Sequence, residues 1–408
     1  QELADGDVDL QRMLTSTAAE DAPVVRLLQK LFEEAIQCRA SDIHIEPEER
    51  VLRIRQRIDG VLQERVMNEA RIASALVQRL KLLANLDISE KRLPQDGRFH
   101  IKVKNHQVDV RLSTMPVAFG EAVVMRLLDQ TSGILSFEQL GLPDDIREQL
   151  RNVIRRPHGM LLVTGPTGSG KTTTLYAALN ELNTPNNKII TVEDPVEYRL
   201  PRVNQVQVNE HIGLSFARVL RTALRQDPDV ILVGEMRDLE TAQIGLRAAI
   251  TGHFVLSTLH TNSAVGTISR LVDMGAQGYV IATALEAVLA QRLVRRLCSH
   301  CAVGHVPDEH EAAWLARHAL GTEADFRQGT GCERCGNTGY QGRIGVYELL
   351  QMRGELLVAL RNQDIGGFAA AAQADPSFRP IVESALDLAG DGQTSLSEVI
   401  RVSGEGDG

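Results

Sequence analysis

Between residues 165 and 173 the chain reads Gly165-Pro166-Thr167-Gly168-Ser169-Gly170-Lys171-Thr172-Thr173. The first eight residues fit the pattern G-x-x-x-x-G-K-[ST], whose chemistry is phosphate binding. Its glycines let backbone N–H groups turn inward around phosphate oxygens, Lys171 is placed to reach the β and γ phosphates, and the Thr172 hydroxyl can hold Mg²⁺. The pattern gains its meaning from context. An apolar strand, Met160 to Thr164, runs directly into it, and a helix from Thr173 to Leu182 leaves it. That helix adds the positive end of its dipole to the same spot. A glycine-rich turn that merely contains a lysine has no need of such a setting.

Phosphoryl transfer also requires a metal held by acids, an oriented water and positive charge on the transferred group. The apolar run Val230-Ile231-Leu232-Val233 ends in Gly234-Glu235, so Glu235 is the first candidate for the strand-end acid, with Asp229 at the strand start a weaker one. A second core run ends in Glu193-Asp194-Pro195-Val196-Glu197, where Glu193 is the acid most readily given a role. A third is flanked by His253 and by His260. His260 falls at a strand's C-terminal end, the edge at which open α/β sheets bind ligands, and is read as a sensor of the γ-phosphate. His253 stands even between function and packing. Arg111 and Arg126, on strand-like segments of the N-terminal third, read from the residues alone as surface charges.

Cys298-Ser299-His300-Cys301 and Cys332-Glu333-Arg334-Cys335 form two C-x-x-C pairs. Each pair sets two thiolates on one knuckle, and two knuckles complete a closed tetrahedral S₄ site of structural type. Four thiolates favour Zn²⁺. His300 and His305 lie near but are not needed as ligands, and Cys38 is expected to pack on a helical face.

These residues must be positioned by two kinds of element. From Leu140 onward, short fully apolar strands alternate with longer helices, the signature of a parallel sheet covered on both faces. Before it, alternating segments and the Asp59-Gly60 turn describe a mixed α+β region. The expected division is a linker or arm at 1–20, an α+β domain at 21–128, a nucleotide-binding α/β core at 129–297, a tetracysteine subdomain at 298–340 and a helical region at 341–408. With 44 Lys and Arg against 53 Asp and Glu, the net charge of −9 offers no broad basic footprint for nucleic acid. That argues against a translocase acting on DNA. No apolar run reaches the roughly 18 residues of a membrane span, no leader is evident, and a cytoplasmic location is expected. The chain starts at Gln1, which suggests an upstream region beyond it.

Taken together, the boxes resemble those of the ATPases of type II secretion and type IV pilus assembly. They are Ala40 to Pro47, Pro94-Gln95-Asp96-Gly97-Arg98, the phosphate loop, Thr191 to Tyr198, Leu224 to Asp238 and Thr251 to Thr261, in that order. The spelling of residues 21 to 47 is most similar to the mannose-sensitive pilus type. The resemblance implies a RecA-like motor domain behind a PAS-like N-terminal domain, assembled as a homohexamer. ATP and Mg²⁺ are its implied cofactors, and its implied partners are inner-membrane platform and accessory proteins, with the enzyme peripheral to that membrane. It casts Glu235 as the catalytic acid and His260 as the histidine-box residue. Arg111, Arg126, Arg221 and Arg225 become neutralisers of phosphate charge, with Arg98 a less certain member. Retraction motors are similar but lack the cysteine pairs, so assembly is the preferred direction. A nucleotide-binding switch with little turnover is the remaining alternative.

Overall fold

The computed structural model describes residues 8–9, 22–68, 70–131, 133–318 and 325–404, so most of the expected linker at 1–20 lies outside the described residues. The chain forms two compact units, Gln1–Gly133 and Ile134–Gly408. The first unit therefore closes a short step beyond the boundary expected at 128.

In the first unit the elements are β1 (Val8–Asp9), α1 (Ala22–Gln37), β2 (Ala40–Pro47), β3 (Leu52–Ile58), β4 (Val61–Met67), α2 (Ile72–Leu83), β5 (Gln95–Val103), β6 (His106–Val117) and β7 (Gly120–Asp129). They make a seven-stranded sheet in the order β1-β5-β6-β7-β2-β3-β4. Period-two alternation sends Ile43, Ile45, Phe99, Ile101, Val110, Leu112, Val123 and Met125 to one face, where the apolar sides of α1 and α2 cover them. The β3–β4 hairpin turns on Asp59 and Gly60 at φ 48° and 87°, the left-handed pair of a type I′ turn. Lys81, fully buried on α2, is satisfied by Glu121 and by the Glu90 carbonyl at 2.7 Å. That clamp fixes the loop leading to the Pro94–Arg98 box. Cys38 was expected to pack, but it is exposed just beyond the end of α1.

The second unit begins α3 (Asp144–Ile154), β8 (Gly159–Thr164), α4 (Lys171–Leu182), β9 (Ile189–Glu193), β10 (Val203–Gln207), α5 (Phe216–Ala223), β11 (Val230–Val233), α6 (Leu239–Ile250) and β12 (Phe254–Leu259). It continues α7 (Ala264–Asp273), α8 (Gly278–Ala284), β13 (Leu285–Leu297), β14 (Ala302–Gly304), α9 (Glu309–Arg317), β15 (Arg327–Gly329) and β16 (Tyr340–Gln351). It ends α10 (Glu355–Arg361), α11 (Ile365–Ala374), α12 (Ile381–Gly390) and α13 (Leu396–Ser403). The main sheet runs β10-β9-β11-β12-β8-β13-β16, parallel from β10 to β13 and antiparallel at β16. Strands β8, β9, β11 and β12 are buried along their whole length, as strands covered on both faces must be. Helices α3 and α4 cover one face, and α5, α6, α7 and α8 the other.

Two features depart from expectation. The segment Leu285–Leu297, for which no strand was named, is the longest strand of the sheet. The helical region expected from 341 opens instead on β16, and helices begin only at Glu355.

Candidate functional site: the C-terminal edge of the parallel sheet

Strands β9, β11, β12 and β8 are neighbours in that order. Because they are parallel, whatever follows their C-terminal ends gathers along one edge, where open α/β sheets bind ligands. Four segments singled out in the sequence therefore meet: the acids after β9 and β11, His260 after β12 and the phosphate loop after β8.

Residues Gly165 to Gly170 link β8 to α4, with Gly165, Gly168 and Gly170 at φ 147°, 80° and 89°. At Gly165 a Cβ would lie 2.3 Å from the Gln291 carbonyl oxygen, so only glycine fits there. Lys171 is 9% exposed and donates to the carbonyls of Gly165 and Pro166 at 2.8 and 3.0 Å. Its ammonium thus points back across the loop. Burial pulls its pKa down to about 8, with the nearby charge of Glu235 acting the other way. Thr172 and Thr173, on the first turn of α4, are exposed.

Glu235 lies just past β11. The Gly234 N–H donates to Val192 O at 2.8 Å and the Met236 N–H to Thr258 O at 3.1 Å, which ties the turn to both neighbouring strands. The Glu235 side chain pairs with Arg237, and His260 Nε2 stands 3.6 Å from its Oε2. Arg237 also reaches Asp194 at 3.6 Å, and its bond to Glu235 raises its pKa. Glu235, His260, Arg237 and Asp194 are therefore one cluster beside Lys171. The histidine segment is anchored to the phosphate-loop strand, because the Thr164 hydroxyl donates to Leu259 O at 3.0 Å and accepts from the Thr261 N–H at 3.1 Å.

Glu193, the acid of this run expected to take a catalytic role, is enclosed by its neighbours. It is 3% exposed and accepts from Thr191 at 2.5 Å, from Gln205 at 3.2 Å and from Tyr176. Burial and the Glu193 charge push the Tyr176 phenol well above its ordinary range, so it remains a proton donor. Asp194, next in the chain and 39% exposed, takes the position at the edge.

Four other candidates lie away from this edge. Arg221 pairs with Glu240, and Arg225 bonds the Arg221 carbonyl at 2.9 Å and Thr222 Oγ1 at 3.3 Å. Both sit at the exposed end of α5, which packs on the sheet face opposite α4, so they are not gathered at the loop. Asp229 accepts from the Lys188 N–H at 2.6 Å at the other end of β11. His253 likewise lies at the start of β12, its Nδ1 3.1 Å from Ala248 O.

In the first unit, strand register places Arg98 opposite Arg111, Arg111 opposite Arg126, and Arg126 opposite Asp42. This row crosses the sheet face away from α1 and α2. Like charges directly opposite one another are destabilising. Asp109, bonded by Arg98 at 2.6 Å, and Asp42, bonded by Arg126 at 3.2 Å, offset part of that cost. The row sets three guanidinium groups side by side on one sheet face, interleaved with two carboxylates.

The sulfurs of Cys298, Cys301, Cys332 and Cys335 lie within 4.8 Å of one another. The pairs 298–332, 301–335 and 332–335 stand at 3.8, 3.9 and 3.7 Å. A tetrahedral ion with bonds of about 2.3 Å demands edges of about 3.8 Å, so this donor set fits zinc in both softness and size. Burial pushes the Cys301 thiol up to about 11. At Cys335 burial acts the same way, but N–H donors of Cys332 and Gly339 outweigh it and bring the thiol to about 6. Among the described residues no helix is long and apolar enough to cross a membrane.

Sequence reasoning missed Arg237 as the partner of Glu235, the Tyr176 and Gln205 cage around Glu193, and Gln291 beside the loop. Only Arg237 carried a local signal, two residues past the strand-end acid.

The family model for Type II/IV secretion system proteins matches residues 17–401. Type II secretion system protein E of Pectobacterium carotovorum subsp. carotovorum is 50% identical over 388 residues, covering 95% of this chain and 77% of that protein. The type II secretion system ATPase E of Vibrio cholerae serotype O1 is 47% identical over 386 residues, covering 95% and 76%. Among solved structures, the pilus retraction motor PilT with bound ADP superposes with a TM-score of 0.61 at 29% identity, over 92% of this chain and 96% of that one. The Legionella pneumophila ATPase DotB gives 0.68 at 22% identity over 93% and 95%, a likeness of fold.

Proposed function

The chain belongs to the Type II/IV secretion system protein family and is an ATP-hydrolysing secretion motor, and from that premise we propose that it works as a homohexamer at the inner membrane, driving assembly of a type II secretion pseudopilus. Relatives named for type II secretion, together with the four-cysteine group that retraction motors lack by resemblance, favour assembly over retraction. The platform and accessory proteins of that machine are the proposed partners, and Zn²⁺ the proposed occupant of the cysteine site.

The observation that carries the catalytic reading is the meeting of Lys171, Glu235 and His260 along adjacent strand ends. Loop N–H groups and the Lys171 ammonium grip the β and γ phosphates. Thr172 and Glu235 would hold Mg²⁺, which when bound neutralises charge spread over the transferred group. Glu235 orients the attacking water, and His260 reports the γ-phosphate to Glu235. Asp194 and Arg237 set the charge around that carboxylate, with Glu193 beneath them as a positioning group. Arg111 and Arg126, by the family resemblance, are the proposed source of positive charge on the transferring phosphoryl. Arg221 and Arg225, held on the surface of α5, serve the nucleotide only if the ring brings them to a second copy.

The test is MgATP hydrolysis across protein concentration, with sedimentation run alongside. Turnover per subunit that rises as a six-subunit species forms supports the ring. Unchanged turnover in a species that remains monomeric overturns it.

A further inference from the structure

We propose that Gln291 is a positioning residue for the phosphate loop, braced by Thr174, and so sets nucleotide affinity without belonging to the loop itself. The inference rests on the loop being the nucleotide site. Register pairs Ala290 of β13 with Thr164 of β8, so Gln291 stands one step further, alongside Gly165. It is 2% exposed. Its carbonyl oxygen bounds the space at Gly165, 2.3 Å from where a Cβ would be, and its Nε2 bounds that at Gly170, at 2.8 Å. Its Oε1 accepts from the Thr174 hydroxyl at 2.7 Å, and Thr174 is itself 1% exposed, one turn into α4.

One residue thus touches the loop at its first and last glycine and is pinned to the helix the loop opens. A buried amide holds its place only while its polar atoms are satisfied. With the Thr174 bond intact, the side chain cannot swing away from Gly170, and the loop keeps the left-handed turns that aim its N–H groups inward. Losing the bond widens the set of loop shapes, so binding must first select the competent one. The apparent affinity falls, whereas the hydrolytic machinery around Glu235 is untouched once nucleotide is bound.

MgATP Kd and kcat for full-length wild type, Gln291→Ala, Thr174→Val, the double variant and Thr174→Ser test this. Each of the first two variants should weaken Kd by about tenfold, the scale of one buried hydrogen bond, with kcat at saturation changed far less. The double variant should be no weaker than either single one, because both break the same bond. Thr174→Ser, which keeps the hydroxyl, should bind as wild type, and any drop in the unfolding midpoint without nucleotide should be no larger in the double variant than in Gln291→Ala. Single variants that bind as wild type, or losses that multiply in the double variant, would overturn the inference. Lys171→Ala separates the two levels: if it binds MgATP like wild type, the site reading itself falls. Should Gln291→Ala not fold, the Thr174 pair carries the same comparison.

Discussion

Lys171 shows how burial sets the working pH of a phosphate site. With a folded pKa near 8 against 10.5 for the free side chain, the chain loses a proton here well before an unfolded lysine would. The unfolded state therefore binds more protons between those values, and stability gains from this group as pH rises through that window. Nucleotide affinity runs the other way, since phosphate needs the charged ammonium. Kd for MgATP should hold steady below pH 8 and then weaken by up to about tenfold per unit above it. Titration from pH 7 to 9.5 checks this, and a flat profile contradicts it. The lysine, Glu235 and His260 were legible because each sits at a fixed offset from an apolar strand, and the sheet then brings strand ends together. Their partners were not. Thr174 and Gln291 are separated by 117 positions, and nothing in either segment announces the other. For Arg221 and Arg225, position in a family box did not fix which way the side chain faces within one chain.

At the scale of elements, β13 was missed because Leu285-Glu286-Ala287-Val288-Leu289-Ala290 spells a good helix. Its position between β8 and β16, buried on both faces, overrides that propensity. The cysteine knuckles, in contrast, were readable in full from spacing alone. Between them lies α9, which carries the only tryptophan of the chain, Trp314, fully buried beside Leu315 and Phe326. Chelation of the metal should therefore shift Trp314 emission to the red and lower the unfolding midpoint, both restored by added Zn²⁺. Emission indifferent to chelator would count against a structural metal. The last helix, α13, is bolted to β13 through Glu398, 1% exposed, which accepts from Arg295 at 2.9 Å and Arg401 at 2.8 Å. Burial pushes the Glu398 pKa up, but the two arginines outweigh it and hold the carboxyl below its usual range. Its contribution is thus present above the ordinary carboxylate range and lost as pH falls through the depressed value. Glu398→Ala, which leaves the mostly buried Arg295 guanidinium without its carboxylate while Arg401 stays half exposed, should cost about 1–3 kcal/mol in denaturant unfolding.

For the whole molecule, the proposed roles differ with where positive charge is kept. The net charge is −9, yet Arg98, Arg111 and Arg126 are held in register on one face of the first unit, while the phosphate loop belongs to the second. Arg111→Ala and Arg126→Ala should each lower turnover by about 10³-fold or more, the scale of an arginine acting on a transferring phosphoryl, while the second unit still binds MgATP. Binding and turnover falling together would instead mark them as structural. In the proposed mechanism chemistry is centred on Glu235 at the sheet edge, with phosphate gripped separately by the loop. The most direct test measures MgATP binding and phosphate release in wild type, Glu235→Gln and Lys171→Ala under one set of conditions. Glu235→Gln should bind as wild type but lose turnover by about 10²-fold or more, whereas Lys171→Ala should lose binding and turnover together. Glu235→Gln turning over at the wild-type rate would contradict it.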